Sequence, residues 1–131
     1  MVIIKKKWHI ENKIRHRDNV RRYRATHPDY VKKHNEQRKQ KRLENKIKVI
    51  EHYSKGTMAC ICCGVTGIDF LTLDHINNDG ADHRRKAKTG AGCDFYAWLL
   101  KTNYEDEAIQ IMCYNCNCAK QTRGMCPHKL K

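Results

Sequence analysis

Two stretches decide the fold of this chain, Leu73-Asp74-His75-Ile76 and Cys113-Tyr114-Asn115-Cys116-Asn117. The first places a carboxylate beside an imidazole at the end of a short apolar run, residues 70–73. The second places an amide side chain directly after a Cys-x2-Cys pair. A matching pair, Cys60-x2-Cys63, lies upstream and is followed by Gly64, which allows a tight turn beneath two sulfurs.

The two Cys-x2-Cys pairs predict a structural zinc site. Four thiolates at about 2.3 Å from the ion form a closed tetrahedral site. The predicted ligands are Cys60, Cys63, Cys113 and Cys116. Replacing one of them by Cys62 or Cys118 would break the x2 spacing on one side. The role of Cys62 stays open, Cys93, Cys118 and Cys126 are expected to be spare thiols, and Cys126-Pro127-His128 is left open as part of another metal site.

Composition indicates a protein with a small apolar core, and the cysteine pattern is interpreted for an intracellular setting. The chain has 131 residues, 31% of them charged, and a mean hydropathy of −0.85. So small a core usually needs a disulfide or a metal. Residues 1–4 run directly into three lysines without a secretory h-region, and no stretch is long enough to span a bilayer. We therefore expect a cytoplasmic, reducing setting, where paired Cys-x2-Cys units are metal ligands rather than disulfides.

The positive charge is concentrated in one part of the chain. Residues 1–55 carry 18 of the 27 Lys and Arg and six of the 14 Asp and Glu, a balance of +12. Residues 56–131 are nearly neutral, with a balance of +1. This split predicts a basic, mainly helical arm over 1–55 and a compact module over 56–131. The arm lacks a wide apolar face, so nucleic acid is the expected partner and a membrane surface is not.

Local signals predict the elements of both parts. Thr26 as a cap and Pro28 in the first turn predict a helix that ends near Tyr53, with Leu43, Ile47 and Ile50 docking on the module. The module is predicted to contain a strand over 70–76, a loop over 81–92, a helix over 94–104, a strand over 108–112 and a helix over 114–123. The fold class is therefore α+β. The expected phosphate contacts on the basic helix are Arg38, Lys39, Lys41 and Arg42.

The Asp-His pair gains meaning from its surroundings. An Asp-His pair alone is usually structural or solvated. Here the two cysteine pairs should bring Asn117 close to the strand that carries Asp74 and His75. Carboxylate and amide oxygens suit Mg²⁺ or Mn²⁺, while a neutral histidine can take a proton from water. These are the parts that hydrolysis of a phosphodiester needs.

These motifs together resemble the zinc-containing HNH (His-Me finger) endonucleases, over about residues 56–128. Leu73-Asp74-His75 and Cys116-Asn117 also look like elements of the recombination endonuclease VII group and the HNN homing endonucleases. The run from Asp74 to Gly80, followed by His83-Arg84, is similar to many phage-encoded HNH proteins. The resemblance implies a ββα-metal fold, stapled by zinc, that cuts DNA with one catalytic divalent cation in the cell that a phage infects.

By matching positions, the resemblance makes His75 the general base and makes Asp74 and Asn117 the ligands of the catalytic cation. His83 and Arg84 could assist the metal or contact the phosphate, and Lys120 could reach a phosphate. Many members carry an Asn before the second strand to brace the base, where this chain has Glu107-Ala108. Either Asn77 or Asn115 could substitute for it.

The expected activity is that of a metal-dependent endonuclease on double-stranded DNA, with a homodimer as one way to cut both strands. The first alternative is a non-catalytic zinc-ribbon protein that binds DNA. The second is a zinc-stapled protein that binds RNA or a ribosome. A binder of either kind needs neither the Asp-His pair nor Asn117 and would not cleave its partner.

Overall fold

The computed structural model describes residues 2–105 and 108–130, with side chains described for 10–105 and 108–129. The predicted class, α+β, is confirmed. The elements follow one another as α1 (Val2–Thr26), α2 (Pro28–Tyr53), β1 (Leu71–His75), α3 (Gly80–Lys86), α4 (Cys93–Lys101), β2 (Ile109–Cys113), α5 (Tyr114–Arg123) and a short 3₁₀ helix (Pro127–Leu130).

The chain divides into two compact units, residues 1–40 and 41–131. The division falls inside α2, because its last turns belong to the second unit. Val49 and Ile50 are both fully buried there, and Ile50 packs in the cluster that contains the cysteines. Docking through Ile50 was predicted, whereas Leu43 and Ile47 remain more than a third exposed. The spacing of apolar residues therefore predicted a docked segment that begins about two helical turns earlier in α2 than the structure shows.

The break between the two long helices differs from the prediction. Thr26 does not cap α2, because its hydroxyl donates to the carbonyl oxygens of Arg22 and Tyr23 in the last turn of α1. His27 separates the helices, and Pro28 begins α2 as expected. A proline in a first turn loses no hydrogen bond, since that N–H would have no partner within the helix.

The two strands form an antiparallel pair in which Leu71 lies opposite Cys113 and His75 lies opposite Ile109. Both are short and largely apolar, β1 is followed by a turn, and both lie where they were predicted. Strand β2 leads directly into α5, and Gly124 ends that helix in the left-handed conformation, with φ of 74°. This direct connection holds the first turn of α5 against the sheet.

The segment between the strands contains a helix that the sequence did not indicate. Residues 81–92 were predicted to form a loop, but α3 occupies their first part. None of the residues of α3 is fully buried, and its sequence accordingly lacks the repeat of apolar residues that predicts a helix. Helix α4 follows and packs Phe95, Tyr96 and Leu99 against Val49 and Ile109. In the described part of the chain, no helix has the length and apolarity needed to cross a membrane.

Candidate functional site

Four thiols converge where the turn before β1 meets the start of α5. The sulfur atoms of Cys60, Cys63, Cys113 and Cys116 all lie within 4.8 Å of one another. Two of them, on Cys63 and Cys113, are 3.7 Å apart. Four sulfurs bonded to one zinc ion at about 2.3 Å would be separated by about 3.8 Å in a regular tetrahedron. The predicted cysteine set is therefore brought together, and it could hold a metal ion.

Local hydrogen bonds favour thiolate at one of these positions and thiol at another. Burial raises the pKa of Cys60, but hydrogen bonds from backbone N–H groups, chiefly those of Cys63 and Cys113, outweigh burial and lower that pKa to about 7. Burial raises the pKa of Cys116 far above its ordinary value, and hydrogen bonds with neighbouring thiols add to this increase. A metal ion bound here must displace a proton from Cys116, so its affinity increases with pH.

A second group of sulfur and nitrogen atoms lies beside the first. It consists of Cys62, Cys116, Cys126 and His128, whose ligand atoms also lie within 4.8 Å of one another. Cys126 therefore belongs to a group that could hold a metal ion, the alternative left open for Cys126-Pro127-His128. Cys62 does not replace Cys60 or Cys63 in the first group. Cys93 and Cys118 are exposed and belong to neither group.

Asp74 is buried at the sheet and already has two partners. Its Oδ2 atom lies 2.6 Å from Nζ of Lys120 and accepts a hydrogen bond from Gln110 at 2.6 Å. Gln110 is its cross-strand neighbour in β2. The side chains of Asp74 and Lys120 are only 2% and 13% exposed. A positive charge therefore sits on the carboxylate that the sequence indicates as a cation ligand.

Lys120 points toward the end of β1 in the conformation described. Besides Asp74, its ammonium donates to the carbonyl oxygens of His75, at 2.9 Å, and Ile76, at 3.2 Å. These three contacts join the end of β1 to the second turn of α5. They neutralise the buried carboxylate, and breaking them would expose an unpaired charge in a site largely closed to water.

Asn117 lies in the first half of α5 and faces the same strand. Its Nδ2 donates to the carbonyl oxygen of Leu73 at 3.1 Å. Its Oδ1 accepts a hydrogen bond from Gln121 at 2.9 Å, on the exposed side of the helix. Asn117 thus contacts the strand that carries Asp74 and His75 through the carbonyl oxygen of Leu73. In the conformation described, its oxygen is bound to Gln121 and the nitrogen faces β1.

His75 is 8% exposed and is paired with a second histidine. Its Nε2 lies 3.0 Å from Nδ1 of His83 in α3. One of these nitrogens must donate and the other accept, so the bond is lost when both rings are protonated. Phe95 packs against both rings, with centroids 5.4 and 5.2 Å away. The pair can hold one proton between two imidazoles in a partly closed setting.

Gly80 makes this arrangement sterically feasible. A Cβ at position 80 would lie 2.6 Å from Nδ1 of His75 and 3.0 Å from its Cε1. Both distances are too short for a side chain to fit without displacing the ring. The start of α3 therefore packs backbone against imidazole. This contact and the hydrogen bond with His83 hold the His75 ring in its orientation. Asn77 and Asn115, the predicted candidates for bracing the base, are both exposed. Glu107 lies outside the described residues.

A cleft of about 440 Å³ lies on the far side of His83. It is lined by Asp79, Asp82, His83, Lys86, Trp98 and Glu105. Three carboxylates outnumber one ammonium there, so the cleft repels phosphate and is a poor site for a nucleic-acid backbone. His83 lines this cleft and is also hydrogen-bonded to His75.

The basic residues singled out in the sequence lie on helices. Arg84 is partly buried on α3. The four basic residues singled out on α2 are exposed: Arg38, Lys39, Lys41 and Arg42. Lys41 is 3.8 Å from Glu44, a surface ion pair of little energetic weight.

The sequence did not indicate the roles of Gln110 and Gly80 at this site. It indicated His83, but not the hydrogen bond of His83 with His75. Gln110 could have been found, since antiparallel pairing of the two predicted strands places a polar residue of β2 opposite Asp74. Gly80 and His83 carried no such signal, because their roles depend on α3.

Comparison of the chain with protein-family models, with curated proteins and with solved structures found no match in any of the three.

Proposed function

We propose that this chain is a metal-dependent endonuclease of the ββα-metal type that hydrolyses DNA phosphodiester bonds. The observation that carries the proposal is the contact between the end of β1 and α5. Asn117 donates to Leu73, and Lys120 binds Asp74, so α5 lies against the strand that carries Asp74 and His75. The amide of Asn117 and the ammonium of Lys120, from a distant part of the sequence, thereby reach the strand that carries the Asp-His pair.

The Cys60, Cys63, Cys113 and Cys116 group would hold a structural zinc ion. Four thiolates leave no open coordination position, so this ion would stabilise the fold without taking part in hydrolysis. It links the turn before β1 to the first turn of α5. The catalytic groups lie on the elements that follow each cysteine pair, and their relative position therefore depends on this site.

The donor set near Asp74 fits a hard divalent cation, Mg²⁺ or Mn²⁺, with Asp74 and Asn117 as its ligands. In the conformation described, the ammonium of Lys120 balances the charge of the buried Asp74 carboxylate, so a divalent cation would have to take its place. Such a cation supplies charge neutralisation at the phosphoryl and leaving oxygens. For such a cation to bind, Lys120 would have to release the Asp74 carboxylate, and the Asn117 side chain would have to turn its oxygen, rather than its nitrogen, toward the strand.

His75 is proposed as the general base that takes a proton from the attacking water. Its contact with His83 orients the ring and offers a second imidazole to receive the proton. His83 is therefore assigned a positioning role rather than a direct contact with the phosphate. The exposed basic residues of α2 would bind the backbone of double-stranded DNA, with an affinity that decreases as salt increases.

The test is nicking of supercoiled plasmid by the full-length, zinc-loaded protein in Mg²⁺ or Mn²⁺. We expect His75→Ala to lower the nicking rate by about 100-fold or more, the usual contribution of a general base. Zinc content and melting should stay near the wild-type values. His34→Ala, which removes an exposed histidine of α2, is the matched control. An unchanged rate in His75→Ala would remove the assignment of the base.

A second candidate function is supported by the Lys120–Asp74 contact itself. A protein that only binds nucleic acid through its basic helix would use this buried ion pair as a permanent structural link. It would shift DNA or RNA in a gel equally well with and without EDTA and would leave both intact. A cation that is required for strand breakage, but not for binding, would decide for the endonuclease.

A further inference from the structure

We propose that the chain binds a second zinc ion, through Cys62, Cys116, Cys126 and His128, and that the sulfur of Cys116 bridges the two ions. The ligand atoms of this group lie within 4.8 Å of one another, as do those of the first. Only Cys116 belongs to both. This site is separate from the proposed catalytic centre and does not depend on nuclease activity.

The distances fit one tetrahedral ion. Nδ1 of His128 lies 3.4 Å from the sulfur of Cys116, 3.4 Å from that of Cys126 and 3.9 Å from that of Cys62. With zinc bonds of about 2.3 Å to sulfur and 2.0–2.1 Å to nitrogen, the nitrogen and each sulfur should be about 3.6 Å apart. Three thiolates and one imidazole form a common zinc ligand set.

Simple packing does not explain this convergence. A buried free cysteine often acts as a small apolar residue, which would account for Cys126, 3% exposed in the core cluster. It would not account for His128, whose residue is exposed while its Nδ1 points at three sulfurs. Cys62 stands between the knuckle ligands Cys60 and Cys63, yet its ligand atom belongs to the second group.

A second ion would add no net charge to the cluster. The first ion with four thiolates carries a formal charge of −2. Adding Cys62 and Cys126 as thiolates, with one further divalent ion and a neutral His128, leaves that charge unchanged. Each zinc ion that binds releases the thiol protons of its ligands to solvent. The second ion would tie the 3₁₀ helix (Pro127–Leu130) to α5 and to the knuckle.

The test is the zinc content of the full-length protein, measured by native mass spectrometry and elemental analysis. We expect two ions per chain in the wild type and one in His128→Ala or Cys126→Ser. Cys93→Ser and Cys118→Ser are matched controls, because both cysteines are exposed and outside the two groups; they should keep two ions. One ion in the wild type, or two ions retained in His128→Ala, would overturn the proposal.

A measurement on the wild type decides the question even if the variants fail to fold. Cadmium substituted for zinc should give two NMR resonances, one from a site with four sulfurs and one from a site with three sulfurs and a nitrogen. The two resonances should be coupled through the shared sulfur of Cys116. A single resonance, or two without mutual coupling, would contradict the bridged pair.

Discussion

Replacing Gly80 by alanine should disable the proposed active site while leaving the fold intact. The added Cβ would lie 2.6 Å from Nδ1 of His75, 3.0 Å from its Cε1 and 3.1 Å from its Cγ. The clash is with the body of a ring that is 8% exposed, not with a mobile tip. Since Phe95 and His83 pack against the same ring, it can relieve the clash only by leaving its present position.

The expected displacement sets the size of the effect. Opening the closest contact from 2.6 Å to an ordinary 3.4 Å requires a movement of about 0.8 Å. A misplacement of about 1 Å at a reacting group can lower a rate by about 100-fold. Overpacking costs about 1–3 kcal/mol of stability. Alanine favours a helix over glycine by about 1 kcal/mol, which offsets part of that cost in the first turn of α3.

The measurement is plasmid nicking by Gly80→Ala, with zinc content and thermal melting recorded on the same preparation. Gly90→Ala is the matched control, because its Cβ would lie equally close, 2.6 Å, to a carboxylate oxygen of exposed Asp94, which can turn away. We expect a loss of about 100-fold in the first variant and little change in the second. Nicking by Gly80→Ala at the wild-type rate would refute the proposed orientation of His75.

Three further predictions concern charge, packing and binding. Lys120→Met leaves the buried Asp74 carboxylate with the hydrogen bond from Gln110 but no cationic partner, which should cost about 3–5 kcal/mol without a divalent cation. Mn²⁺ should raise the melting temperature of this variant more than that of the wild type, and equal responses would argue against a cation at Asp74. Ile50→Ala should cost about 2–5 kcal/mol in denaturant unfolding, against less than about 1 kcal/mol for the partly exposed Ile47→Ala, and similar losses would contradict docking through the last turns of α2. Replacing four basic residues of α2 by glutamine should make DNA binding less sensitive to salt. In a plot of log K against log salt concentration, the steepness of the slope should decrease by about 0.9 for each phosphate that the helix no longer neutralises. An unchanged slope would exclude these residues from the interface. Those positions are Arg38, Lys39, Lys41 and Arg42.

The sheet, α5 and the first cysteine group could be predicted because their signals are local. Short apolar runs predicted β1 and β2, with a turn after the first, and equal x2 spacing paired the cysteines. Helix α3 could not be predicted, since it buries no residue fully and has no apolar period. It depends on the backbone of Gly80 lying against His75.

The contacts that define the candidate centre depend on packing rather than on pattern. Lys120 looked like a residue available to phosphate, but α5 lies on β1 so that its ammonium meets buried Asp74. The second metal group was equally hidden. Its members join only because the chain turns after Gly124 and returns Cys126 and His128 to the knuckle.

The central claim is tested most directly by the yield of nicked plasmid as Mn²⁺ is added to full-length, zinc-loaded protein. Our account predicts intact plasmid with zinc alone, then nicking that increases with Mn²⁺ and reaches a plateau. Plasmid that stays intact at every Mn²⁺ concentration, while the same protein visibly retards it in a gel, would contradict a hydrolytic centre at Asp74, His75 and Asn117.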